Sequence, residues 1–184
     1  MKKNYYIIGL GILILSFFVD KFVALFLVNI KINFLTKIAF IINNFEGYFI
    51  FPIALIVILL AKKKENIIPL ILSFVAYLGL TSIIKITISR ERPFKALDFE
   101  GLINNVNENR SFPSGHTTAA SAIIPFFNFN KYLNFTWIFI TIIVMFSRMY
   151  LGVHYLSDVI AGFLLGNLIG DSSIKFYKKY KNFM

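Results

Sequence analysis

The run from Ile67 to Ile88 carries a single charged residue, Lys85, and is long enough to cross the hydrocarbon core of a bilayer, about 30 Å thick. Further apolar runs recur along the chain, and 58% of its 184 residues are hydrophobic while only 15% are charged. A soluble domain of this length carries more charge. The pattern predicts an all-α, polytopic membrane helix bundle with about six transmembrane helices, near Tyr5–Val19, Tyr48–Ala61, Ile67–Ile88, Ser114–Phe127, Tyr132–Tyr150 and His154–Gly170. Asp20 to Gly47 mixes apolar residues with Lys31, Lys37, Asn43, Asn44 and Glu46, which suits helices in the interface; a seventh span there is the competing topology. No linker or repeat divides the chain, so residues 1–184 are expected to form one domain.

The net charge of +10 does not point to nucleic acid. The lysines sit between apolar runs, at Lys2-Lys3, Lys62-Lys63-Lys64, Lys131 and Lys175 to Lys181, as cytoplasmic anchors beside anionic headgroups do. This bias places the N-terminus inside and Ser89 to Pro113 outside. Lys2-Lys3 and the following apolar run imitate a signal peptide, but no small-x-small cleavage site follows, so a retained first span is expected. The chain has no cysteine, which excludes disulfides and thiolate-metal sites and leaves the redox compartment open. The expected location is the cell membrane, with the chemical motifs on the non-cytoplasmic side.

Both histidines of the chain fall among those motifs. His154 and Asp158, at i and i+4, share a helix face, so the carboxylate can fix the tautomer and leave the other ring nitrogen as a nucleophile toward phosphorus. The product would be a phosphohistidine. Taken alone the pair also suits a helix-start salt bridge, but ionisable groups at a membrane span are expensive. His116 follows Pro113-Ser114-Gly115 at the start of an apolar run, where free N–H groups and the helix dipole favour an anion. It can protonate a leaving alkoxide, while Ser114 can equally be an ordinary cap. Lys85, Arg92 and Arg148 supply cations for the oxygens of a phosphate in transit. Lys85 and Arg92 point to one side if the third span continues that far. Arg90, Lys95 and Arg110 read as headgroup contacts. The small run Thr117 to Ala122 and the glycines Gly162, Gly166 and Gly170 read as helix packing.

These segments resemble the signature of the type 2 phosphatidic acid phosphatase superfamily: Lys-x6-Arg-Pro, Pro-Ser-Gly-His, and Ser-Arg-x5-His-x3-Asp. Every specified position matches, at Lys85, Arg92, Pro93, Pro113, Ser114, Gly115, His116, Ser147, Arg148, His154 and Asp158. The resemblance covers residues 85–158 and implies a metal-independent phosphatase with no cofactor. It implies His154 as nucleophile, Asp158 as its partner, His116 as general acid, and phosphate binding by Lys85, Arg92, Ser114, Gly115 and Arg148. No His or carboxylate cluster with metal-ligand spacing is evident. Two departures stand out. Members often carry Gly-Arg-Pro-Arg-Pro where this chain has Ser89-Arg-Glu-Arg-Pro93, which sets Glu91 near the phosphate site, and proline where Leu156 stands.

The expected activity is hydrolysis of a lipid phosphate or diphosphate at the outer face. Polyprenyl diphosphate, phosphatidylglycerol phosphate and phosphatidic acid remain open as substrates, with a tilt toward the polyprenyl carrier. The expected partners are that lipid and the bilayer, with no nucleic acid; the oligomeric state stays open. Phosphoryl transfer to a lipid or sugar hydroxyl and a non-catalytic lipid transport protein are the alternatives.

Overall fold

Helix α4 (Ile67–Ile88) occupies the run with the single charge, and six further elements wrap with it around a short inner helix. The computed structural model describes residues 2–30, 32–44, 47–99 and 109–181. Lys31, Glu46, Glu100 and Glu108, and the side chains of Lys2 and Lys3, lie outside the described residues. In chain order the remaining helices are α1 (Lys2–Val28), α2 (Asn33–Asn44), α3 (Ile50–Leu60), α5 (Pro93–Ala96), α6 (Gly115–Ile123), α7 (Lys131–Tyr150) and α8 (Leu156–Lys181). Short 3-10 turns precede α3 and α4 and follow α6.

Among the described residues four stretches are long and apolar enough to cross a bilayer: Asn4–Val28, Lys64–Ala96, Lys131–Tyr150 and Leu156–Lys181. The bent pair Asn33–Asn44 and Gly47–Leu60 meets the same standard only when taken together. Three expected boundaries differ, and the last helix runs Leu156–Lys181 instead of His154–Gly170. The first helix runs through Asp20 to Val28 instead of ending at Val19, because Asp20 is buried and paired. The stretch Ser114–Phe127 is a nine-residue α-helix followed by a four-residue turn, about 20 Å in all. That is shorter than the hydrocarbon core. Its apolar character comes from burial in protein, since Thr117 to Phe127 are all buried.

Helix α6 packs most closely on α8, and glycine makes the approach possible. A Cβ at Gly162 would stand 2.8 Å from the Ser114 carbonyl oxygen. Cβ atoms at Gly166 and Gly170 would collide with the Thr118 and Ala122 carbonyl oxygens. Ser121 Oγ also donates to the Gly162 carbonyl at 3.1 Å. The other side of α6 meets an apolar core that includes Phe51, Ala54 and Ile58 of α3, Tyr77 of α4 and Trp137 of α7. Helix α1 inverts the soluble rule. Ile7, Ile14, Phe18 and Phe22 face outward, as lipid contact requires, while Ser16, Asp20, Ala24 and Leu27 form the inner seam. Asn130 caps α7 by accepting from the Tyr132 and Leu133 N–H groups at 2.9 and 3.2 Å.

Candidate active site

The end of α4, the starts of α6 and α8, and the last turn of α7 meet at one end of the bundle. The helix carrying Lys85 does not continue to Arg92. It stops at Ser89, whose φ of +44° is left-handed and whose N–H donates to the Lys85 carbonyl at 3.1 Å. The chain then turns, and Arg92 precedes Pro93, the first residue of α5. This turn, rather than a shared helix face, brings Arg92 beside His154.

His154 lies in the loop between α7 and α8, 3% exposed. Its Nδ1 is 3.4 Å from Asp158 Oδ2, and its Nε2 is 3.4 Å from Arg92 Nη1. Asp158 is wholly buried and heavily satisfied. Its Oδ1 accepts from Arg90 Nη1 at 2.7 Å, and its Oδ2 accepts from the Tyr155 N–H at 2.8 Å and from Ser111 Oγ. Burial, reinforced by the charges of Arg92, Lys85 and Arg148, holds the His154 imidazole well below its ordinary pKa of 6.5. The ring is therefore neutral near pH 7, as an attacking nitrogen must be.

The three cations expected at the phosphate are each held by a neutral acceptor. Lys85 Nζ donates to the Arg110 carbonyl at 2.7 Å, Arg92 Nη1 to the Val153 carbonyl at 2.8 Å, and Arg148 Nη1 to Asn43 Oδ1 at 2.6 Å. Arg92 and Arg148 are buried. His116, in the first turn of α6, hydrogen-bonds the Asn43 backbone, and its Nε2 has no hydrogen-bond partner among the described residues. Ser114 is buried and precedes α6, but its side chain does not cap the helix; Thr117 Oγ1 donates to its Oγ at 3.1 Å. A Cβ on Gly115 would stand 3.8 Å from Lys85 Cε, so this turn faces the lysine closely. Ser147 turns back to the Val144 carbonyl of its own helix. No group of three or more His, Asp or Glu with metal-holding geometry occurs among the described residues.

Sequence reasoning misplaced Arg90 and missed Asp20, Ser111 and Asn43. Arg90 is not a headgroup contact. Its Nη1 reaches Asp158 and Ser157 Oγ, its Nη2 reaches Asp20 Oδ2 at 2.7 Å, and its guanidinium lies 4.0 Å from the Tyr155 ring centre. Two carboxylates thus pair with it. Glu91 is exposed and lies 3.8 Å from Lys95. The signal that could have found Asp20 was present: a lone acid inside an apolar run is costly unless paired.

Long lipid-facing helices around a buried polar pocket define an integral membrane helix bundle. The PAP2 superfamily pattern matches residues 66–181, and the chain belongs to that family. It is 30% identical over 126 residues to the undecaprenyl-diphosphatase of Sulfolobus acidocaldarius, covering 67% of this chain and 61% of that protein. It is 34% identical over 116 residues to phosphatidylglycerophosphatase B of Bacillus subtilis, covering 56% of this chain and 54% of that protein. The chain thus spans less than two thirds of either relative. Among solved structures, a PAP2-type phosphatidylglycerolphosphate phosphatase from Bacillus subtilis superposes with a TM-score of 0.71 at 27% identity, covering 95% of this chain and 96% of that one. Aquifex aeolicus LpxE superposes with a TM-score of 0.70 at 25% identity, covering 85% and 95%.

Proposed function

We propose that the protein is a metal-independent membrane phosphatase that removes phosphate from a lipid phosphate or diphosphate through a phosphohistidine. The observation that carries this reading is the His154 imidazole, with one nitrogen toward the Asp158 carboxylate and the other toward the Arg92 guanidinium. Nε2 attacks phosphorus as the bond to the lipid oxygen breaks. Arg92, Arg148 and Lys85, with the N–H groups at the start of α6, stabilise the charge on the phosphoryl oxygens. Burial and the charge of Arg148 hold His116 down at about 3, so the proton it gives to the leaving alkoxide is taken up together with the anionic substrate; with a diphosphate the leaving group is the lipid monophosphate. His116 then takes a proton from water, whose oxygen attacks phosphorus. The N–P bond breaks, releasing inorganic phosphate and restoring neutral His154.

The lipid reading draws support from an apolar cavity of about 400 Å³ between α2 and α7, lined by residues including Ile38, Ile42, Ile143, Phe146 and Ser147. Ile42 and Ser147 are the sequence neighbours of Asn43 and Arg148, so hydrocarbon there would lead to the cations. Lysine placement supports an outward-facing site in the cell membrane, since Lys62–Lys64, Lys131 and Lys175–Lys181 belong to the opposite ends of the helices that carry the site. The relatives' names make polyprenyl diphosphate and phosphatidylglycerol phosphate the substrates to try first, with phosphatidic acid beside them.

The test is phosphate release by purified protein from that panel with EDTA present. Release from at least one lipid, abolished by His154→Ala, is expected. Activity that needs added Mg²⁺ or Zn²⁺, or that survives His154→Ala in a folded sample, overturns the reading.

A further inference from the structure

The proposed reaction has no stated use for Asp20, a buried acid on the first helix, remote in sequence from every motif. We propose that Asp20 is a positioning residue for the attacking imidazole, acting through Arg90 and Ser157; this rests on the phosphohistidine reading above. Asp20 Oδ1 accepts from the Ser157 N–H at 2.8 Å, and Oδ2 accepts from Ser157 Oγ at 2.5 Å and from Arg90 Nη2 at 2.7 Å. Asp20 is 3% exposed, and these contacts link α1 to α8 and to the loop after α4. Ser157 belongs to the first turn of α8, whose leading N–H groups have no partner within the helix. Asp20 therefore caps the helix that carries Asp158 from a separate helix, with a charge suited to the helix dipole.

The second route is through Arg90. One edge of its guanidinium holds Asp20 and the other holds Asp158 Oδ1. Phe17, one turn before Asp20, places its ring centre 5.2 Å from the same guanidinium, and Tyr155 covers it at 4.0 Å. Without Asp20, Arg90 keeps a single carboxylate anchor and can rotate about it. Asp158 then keeps its Ser111 and Tyr155 donors on Oδ2 but loses the fixed donor on Oδ1, and the plane set by both ends of the carboxylate directs Nδ1. An error of about 1 Å in an attacking atom costs on the order of a hundredfold in rate. Asparagine at position 20 keeps the size but must turn its NH₂ toward either Arg90 Nη2 or the Ser157 N–H, both donors, so one route of the anchor is lost without a cavity.

The experiment is trapping of the phosphoenzyme in single turnovers with a radiolabelled aryl phosphate, using an alkaline detergent quench that spares the acid-labile N–P bond. The rate constant reports positioning, whereas the amplitude reports the fraction of folded protein. Asp20→Asn is expected to slow trapping about 10- to 100-fold. Ser157→Ala, which removes one hydroxyl, is expected to slow it about threefold at wild-type amplitude. Wild-type rate constants in Asp20→Asn, with only the amplitude lowered, overturn the proposal. If Asp20→Asn yields no folded protein, Ser157→Ala decides, and a wild-type rate constant there overturns it. A wild-type enzyme that traps no phosphate, or a His154→Ala variant that still does, instead sinks the reading on which the proposal rests.

Discussion

The two histidines stand in opposite situations. His154 faces a carboxylate that already accepts from Arg90, Ser111 and Tyr155, so its surroundings are fixed from several elements. His116 presents an Nε2 with no hydrogen-bond partner among the described residues. The difference matches the two tasks proposed for them. A nucleophile gains from preorganisation, because its line of attack must be set beforehand. A proton donor to a leaving group finds its partner only on the substrate.

The largest expected effect breaks the His154 side. His154→Ala should abolish turnover of lipid and aryl phosphates alike, because no second nitrogen can replace Nε2. Asp158→Asn should follow, with kcat lower by about 10³- to 10⁴-fold, as when a triad carboxylate becomes an amide. Measured steady-state rates that fall by less than tenfold would show that the carboxylate does not orient the ring.

The His116 side should behave differently. His116→Ala should lose about 10²- to 10⁴-fold on a lipid phosphate and regain a large part of that on an aryl phosphate, whose leaving group needs little protonation. Equal losses on both substrates would remove the distinction between the two histidines.

A pH profile sharpens the same contrast. His154 is held well below 6.5, so its neutral form should persist as pH falls through that value. The acid limb that reports His154 in kcat/KM should therefore lie below pH 6.5; a limb at or above it would count against the assignment. The linkage has the same sign. Below about pH 6.5 the unfolded chain takes up this proton and the folded one resists it, so the stability from this group is full above that pH and declines below it.

The smallest expected effect lies outside the pocket. Ser89 holds a left-handed conformation that costs a side-chain-bearing residue about 1 kcal/mol. Ser89→Gly should raise the thermal midpoint in detergent by a few degrees with kcat within twofold. A lowered midpoint would mean that the Ser89 hydroxyl, which donates to the Ile86 carbonyl at 3.0 Å, outweighs the backbone term.

What could be read in advance followed the range of each interaction. The extent of α4 and the pairing of His154 with Asp158 depend on near neighbours, and the pattern of apolar residues and motif spacing conveyed them. Arg90 was misread because its partners are Asp20, Ser157 and Asp158, at least 67 residues away along the chain. Ser111 and Asn43 were missed for the same reason. Helix α6 was read as a span because an apolar run looks alike whether lipid or protein surrounds it. Its many small residues were the clue that the surroundings are other helices.

The neutral acceptors of Lys85, Arg92 and Arg148 have an entropic consequence. A long cationic side chain loses about 1.5–2 kcal/mol of rotamer freedom when it is fixed. Here a carbonyl or an amide oxygen does the fixing, so the ordering is built into the fold rather than taken from the binding of phosphate. A carboxylate would order the side chain too, but it would cancel the charge, as Asp20 and Asp158 do for Arg90. The described cations of the site thus divide by acceptor: Lys85, Arg92 and Arg148 each donate to a carbonyl or amide oxygen, while Arg90 donates to the carboxylates of Asp20 and Asp158.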